Sequence, residues 1–208
     1  MMENILKQKN IDRLYHFTRA ENIKNILDFG LMPRADLDAW GIESSYNDDF
    51  RYDNCMNAVC TSIEHPNYRM FYKLRIANPE IDWVVIRLDA RILLDFDCAY
   101  CWTNAGDATI YSTPIAERKG ISAFEALFKN REGYPKREEL NIPSFYPTNP
   151  QAEVLVFDTI PIEYISCLYF EDRKTHDKYM DITAQNVDTY VYPEVYRQRK
   201  DSTFWQTR

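Results

Sequence analysis

Glycine is scarce in this chain: five in 208 residues, at positions 30, 41, 106, 120 and 133. They form no Gly-x-Gly-x-x-Gly run, no P-loop lysine motif and no Gly-x-Ser-x-Gly elbow. The Rossmann, P-loop and serine-hydrolase routes, which need those turns, are therefore unsupported. Histidine is rarer still, with His16, His65 and His176 alone. That is too few for a histidine-rich metal site, and no metal is expected. No run of 18 apolar residues exists, which argues against a membrane-spanning helix. Met1 to Asn10 is polar and lacks the apolar stretch of a secretory signal. The five cysteines are odd in number and scattered, which suits a reducing cytosol better than a disulfide framework, so a cytoplasmic protein is expected. Basic charge is also short. Lys and Arg total 25 against 32 Asp and Glu, a net charge of −7. This argues against tight non-specific DNA binding while leaving room for a local basic groove.

Apolar residues make up 45% of the chain, enough for a real core, and the length fits one domain over residues 1–208. Asn22 to Phe29 carries Ile23, Ile26, Leu27 and Phe29 at near-helical spacing. Thr18 followed by Glu21 has the capping-box pattern, and Gly30 then Pro33 is a stop, so the spacing predicts a helix over 19–29. Residues 34–57 lack a period and read as a long loop with one short helix. Met56 to Ser62 reads as a buried strand, and Asn67 to Leu74 as a helix behind Pro66. Trp83 to Leu88 reads as a strand, Ala90 to Phe96 as its short continuation, and Asp97 to Trp102 as another strand. Residues 103–150 are irregular and hold five of the ten prolines, with one helix at Ser122 to Phe128. Two β-runs follow, Ala152 to Phe157 and Ile165 to Phe170. The expected fold class is α+β, a core of about 12–172 with two long excursions and a C-terminal tail over 173–208. Excursions of that length in a compact domain are usually functional or disordered.

Three constellations carry chemistry. His16 and Thr18 sit two apart on the first strand, on one face, with Phe17 on the other. Beside a helix start, such a pair can hydrogen-bond a ribose or an amide, and the helix end favours an anion. Equally, His16 can be a satisfied buried histidine and Thr18 only a cap. Glu153 opens an apolar strand, where a carboxylate must be paired, solvated or functional, unless the strand is an edge and the residue merely exposed. Gln151 shares its strand face. Cys98-Ala99-Tyr100-Cys101 has C-x-x-C spacing but no second pair at zinc-finger distance, so two core cysteines are the expected reading.

Leu14-Tyr15-His16-Phe17-Thr18, continuing through Asn22-Ile23, Ile26-Leu27 and Gly30-Leu31, resembles the opening segment of the DarT-type ADP-ribosyltransferases. Gln151-Ala152-Glu153-Val154-Leu155-Val156 resembles that family's catalytic-glutamate strand. The resemblance implies a split, mostly antiparallel sheet with flanking helices and NAD as co-substrate in the cleft. It implies cofactor contacts from His16, Phe17, Thr18, Asn22, Asn25 and Leu31. Glu153 would be the catalytic carboxylate, and an arginine of the first loop would act with it: Arg51, with Arg34 and Arg69 as rivals. The family's NAD-binding loop would fall on 34–57 and its substrate-reading loop on 103–153. Tyr134, Tyr146 and Gln151 are the expected substrate contacts, with Tyr111 and Phe145 as further aromatics able to stack on a base. The implied activity is NAD-dependent mono-ADP-ribosylation of a nucleobase in single-stranded DNA, by the toxin of a toxin–antitoxin or anti-phage system with a macrodomain antitoxin as partner. RNA or protein acceptors, or a non-catalytic nucleotide-binding module, are the alternatives. The acidic stretch Tyr46-Asn47-Asp48-Asp49 departs from the basic loop expected of that family.

Overall fold

The computed structural model describes residues 1–46, 54–183 and 187–206. Seven strands form one sheet in the order β4-β5-β2-β1-β3-β6-β7. They are β1 (Arg13–Arg19), β2 (Val59–Ile63), β3 (Trp83–Asp89), β4 (Cys98–Cys101), β5 (Glu153–Val156), β6 (Ile165–Phe170) and β7 (Asp188–Val191). Every pairing is antiparallel except β6 with β7, which is parallel. The described helices are α1 (Met2–Lys9), α2 (Ile23–Phe29), α3 (Arg34–Trp40), α4 (Tyr68–Ala77), α5 (Ile92–Asp95), α6 (Ala108–Tyr111), α7 (Gly120–Ala126), α8 (Arg137–Leu140) and α9 (Arg173–Thr183). No helix among the described residues is long and apolar enough to cross a membrane.

The sheet is nearly two sheets. β1 pairs with β3 along its whole length, from Arg13–Asp89 to Arg19–Trp83. It pairs with β2 at Leu14–Ile63 and Tyr15–Ser62. Beyond that point the imidazole of His16 takes over the link, its Nδ1 lying 2.8 Å from the Cys60 carbonyl oxygen. A carbonyl only accepts, so Nδ1 carries the proton in this contact. The two halves thus part from His16 onward.

Side-chain alternation explains the cores. On one face Leu14, Val84, Ile86, Leu88, Leu168 and Phe170 join Val59, Ile63, Val154 and Val156 of the other half, covered by α2 and by Phe124 and Leu127. This core runs under both halves. On the opposite face it is interrupted. Tyr15, Trp83, Val85 and Tyr169 pack with Phe71 and Tyr196, whereas Ala99, Cys101 and Leu155 pack separately with Cys55, Ala58 and Ile110.

Several expectations are revised. The 19–29 segment is a 3-10 turn over Ala20–Asn22 leading into α2, and Thr18 caps nothing. Its Oγ1 accepts from Asn22 Nδ2 at 2.9 Å instead. Residues 103–150 hold three short α-helices and a 3-10 turn over Ile115–Arg118, and α7 begins two residues earlier than its periodicity suggests. The stretch from 173 onward is no tail. α9 and β7 extend the sheet, and the buried Tyr196 hydroxyl shares its proton between the carbonyls of Trp83 and Tyr169 at 3.0 and 2.8 Å. Arg199 and Asp201, both almost fully buried, pair at 2.6 Å, and Asp201 also accepts from the Trp205 indole. Removing one partner of such a pair typically costs about 3–5 kcal/mol, whereas an exposed pair such as Lys7–Glu3 is screened by solvent and holds little. Residues 187–206 are therefore part of the fold. Cys98 and Cys101 are buried strand residues, as expected, and burial pushes both thiols up to about 12.

Gly30 ends α2 at φ +85°, and an added Cβ would lie 2.7 Å from the Ile160 carbonyl oxygen, which accepts from the Leu31 N–H. Gly30→Ala is expected to cost about 1–3 kcal/mol from backbone conformation alone, with the clash added. Urea unfolding checks this, and a wild-type midpoint would contradict it. His65 is half-buried against the Tyr68 and Tyr146 rings, and burial pulls its pKa down to about 4. The fold holds it neutral, so the unfolded chain binds its proton first. Stability is then complete above about pH 6.5 and is lost as pH falls toward 4, by at most about 3 kcal/mol. In His65→Phe the fall across that window should be smaller. An identical profile would contradict the assignment.

Candidate functional site

A cavity of about 210 Å³ opens where β1 and β2 part. One wall is β1, with Tyr15, His16, Phe17 and Thr18. The other is β2, and Glu153 stands at the floor with Asn67, Asn104 and Ala105. Phe17 is fixed by stacking on Phe71 at 4.5 Å. Asn25, Ile26, Gly30 and Leu31 of α2 and its terminus, together with Arg34 and Leu37 of α3, close one end.

Asn22 organises that end. Buried to 6% exposure, its Nδ2 donates to Thr18 Oγ1 and to the Ser45 carbonyl, while its Oδ1 accepts from Ser44 Oγ and the Ser45 N–H. Asn25 Nδ2 donates to the Glu43 carbonyl at 2.6 Å. These amides pin residues 43–45 beside the cleft. Tyr46 lies over the Arg34 guanidinium at 3.9 Å and donates its hydroxyl to Asp38.

Glu153 is the first residue of β5, an inner strand, and is only 6% exposed. It is therefore neither an edge nor a surface residue. Its Oε1 accepts from Asn67 Nδ2 at 3.3 Å and Asn104 Nδ2 at 3.1 Å, and its Oε2 accepts from the Ala105 N–H at 2.7 Å. A buried carboxylate needs such donors to offset lost hydration. What results is an oriented carboxyl group lining the same cavity as His16 and Thr18.

The structure therefore brings His16, Phe17, Thr18, Asn22, Asn25, Leu31 and Glu153 to one cleft. Arg51 lies outside the described residues. Arg34 lines the cleft, and Arg69 is not among its lining residues. The three expected substrate contacts stand elsewhere. Gln151 is in the turn before β5, its N–H on Asn149 Oδ1. Tyr134 packs between Trp102 and Trp205, beside a second cavity of about 10 Å³, room for one water and no base. Tyr146 is held by His65, Phe145 and the Arg199 guanidinium, as part of the packing that ties down the chain end. Tyr111 is exposed on α6, where its hydroxyl accepts from Asn54. Asn67, Asn104 and Ala105 went unread in the sequence. The available signal was Asn67 directly after Pro66 at a helix start, an N-cap position. Among the described residues no group of three His, Cys, Asp or Glu side chains is placed to hold a metal.

The family model described as DarT, ssDNA thymidine ADP-ribosyltransferase, matches residues 15–197. That match runs well past 172, in agreement with the integrated chain end. No individual curated protein matches the sequence. Among solved structures, Thermosipho africanus DarTG in complex with ADP-ribose is 18% identical with a TM-score of 0.63, over 88% of this chain and 50% of that one. The chain thus spans about half the length of that relative. Thermus sp. 2.9 DarT in complex with NAD+ is 14% identical with a TM-score of 0.57, over 89% of this chain and 97% of that one. The same protein in complex with ADP-ribosylated ssDNA gives 13% and 0.52. At these identities the likeness is one of fold.

Asn22→Ala should release the 43–45 segment. Exchange of the Ser45 amide, whose acceptor is Asn22 Oδ1, is expected to rise about tenfold or more, equivalent to one lost hydrogen bond. Unchanged protection by hydrogen-exchange NMR would contradict that clamp.

Proposed function

The chain belongs to the DarT family, and from that premise and the cleft geometry we propose that it is an NAD-dependent mono-ADP-ribosyltransferase acting on a thymidine base in single-stranded DNA. Glu153 carries the reading: a carboxylate buried, oriented by three N–H donors and set at the floor of a split sheet. NAD would lie along the split as co-substrate, with His16 and Thr18 at the nicotinamide-side ribose and Asn22 and Asn25 toward the adenosine. Phe17 and Leu31 supply apolar walls. An arginine holds the pyrophosphate or the acceptor base. Arg51 takes that role by its place in the first loop, and Arg34 is the arginine among the described residues that lines the cleft.

Cleavage of the nicotinamide–ribose bond puts positive charge on C1′, as in glycoside hydrolysis. Nicotinamide leaves with the bonding pair, and the acceptor nitrogen forms the new bond to C1′. Glu153 stabilises the charge, holds a ribose hydroxyl and takes the proton from that nitrogen. The acceptor base must be unstacked to reach the cleft, which favours a single strand. Residues 1–208 act as one catalytic unit in the cytoplasm, where NAD and DNA meet. The family resemblance implies a toxin–antitoxin setting with a macrodomain antitoxin removing the mark, and one relative is a DarTG in complex with ADP-ribose.

Purified protein incubated with labelled NAD and single-stranded DNA, RNA and protein acceptors tests this. Label is expected on thymidine-containing DNA, and Glu153→Gln should lower the rate by about 100-fold or more. Transfer that survives in Glu153→Gln, or label confined to RNA or protein, would contradict the reading.

A further inference from the structure

Asn67 and Asn104 reach Glu153 from opposite sides of its strand. Asn67 follows β2 and Asn104 follows β4, and β2 and β4 are the two neighbours of β5. Each asparagine uses its oxygen locally. Asn67 Oδ1 caps α4 by accepting the Met70 N–H at 3.2 Å, and Asn104 Oδ1 closes a turn by accepting the Gly106 N–H at 3.0 Å. An amide carries its oxygen and its NH2 on opposite sides, so each local bond settles which end faces Glu153. Both Nδ2 groups converge on the same oxygen, Oε1.

The residue type is informative. Serine or aspartate would cap α4 as well as asparagine does. Neither presents an N–H donor at the far end once its oxygen is committed to the cap, and aspartate would face Glu153 with a second negative charge. Asparagine at both positions meets a requirement set by Glu153 and not by the helix or the turn. We propose that Asn67 and Asn104 are positioning residues, which transmit the fixed backbone of α4 and of the 104–106 turn to the Glu153 carboxylate and hold it in the orientation used for transfer. The proposal rests on the reading of Glu153 as the catalytic carboxylate.

Asn67→Asp and Asn104→Asp keep the cap and the turn while removing the donor. Asn67→Ser and Asn104→Ser do so without adding charge, in case the aspartates do not fold. In variants that keep the wild-type melting temperature, kcat is expected to fall on the order of 100-fold with KM for NAD unchanged. In the aspartate variants the acid limb of the kcat–pH profile should also move to higher pH, because adjacent carboxylates retain a proton. Wild-type kcat in all four variants, or losses that merely track melting temperature, would overturn the proposal. The 13C resonance of the Glu153 carboxyl, identified by its loss in Glu153→Gln, gives an answer that needs no turnover. Its titration should move up in the aspartate variants, and an unmoved titration overturns the positioning. A wild-type protein that transfers nothing would remove the functional reading, while this resonance still decides the role of the asparagines.

Discussion

The fold depends on an incomplete seam. β1 and β2 are joined by the pairs Leu14–Ile63 and Tyr15–Ser62, then by one side chain, His16 on the Cys60 carbonyl. A seam that closed fully would bury the space the site occupies. One that opened further would leave a row of unpaired backbone groups to be satisfied in a largely apolar interior. The continuous core beneath both halves lets the seam stay half open, because Val84, Ile86, Val59 and Val154 belong to one packed cluster even where the strands part. On the far face the core is itself divided, and the floor of the cleft lies at that division.

Polar satisfaction around the cleft is done by amides. Asn22, Asn67 and Asn104 each have an oxygen that accepts a backbone N–H and an NH2 that donates to a second partner. A hydroxyl or a carboxylate could not serve both ends in these geometries. Two of these amides meet the buried Glu153 carboxylate. The third fixes the segment at the mouth of the cleft, so loop and floor are held by the same device. Charges elsewhere follow a different rule. The buried Arg199–Asp201 pair holds the chain end against Pro147, whereas most described ion pairs are at least partly exposed and individually weak.

Much of this was legible in the sequence where a side chain declares its environment. The apolar runs at 83–88, 152–157 and 165–170 are inner strands, and inner strands read as continuous hydrophobic stretches. His16, Thr18 and Glu153 stood out because polar residues interrupt apolar periodicity, whereas Asn22 was marked only by the family resemblance. Asn67 and Asn104 did not, since asparagine near a proline or a glycine reads as ordinary turn chemistry and its second partner lies 86 or 49 residues away. The chain end was misjudged for a related reason. β7 is short and largely exposed, and Tyr196, Arg199 and Trp205 find their partners in distant segments. Tyr134 and Tyr146 show the converse, aromatic residues whose partners are other side chains of the fold.

In the proposed function the split between β1 and β2 holds NAD with its reactive ribose against Glu153. The most direct measurement is a crystal structure of the protein with a non-cleavable NAD analogue. The nicotinamide-side ribose is expected between β1 and β5, with a hydroxyl on the Glu153 carboxylate and His16 and Thr18 across the cleft. An analogue bound outside the split, or seated in it with its ribose out of reach of Glu153, would rule this arrangement out.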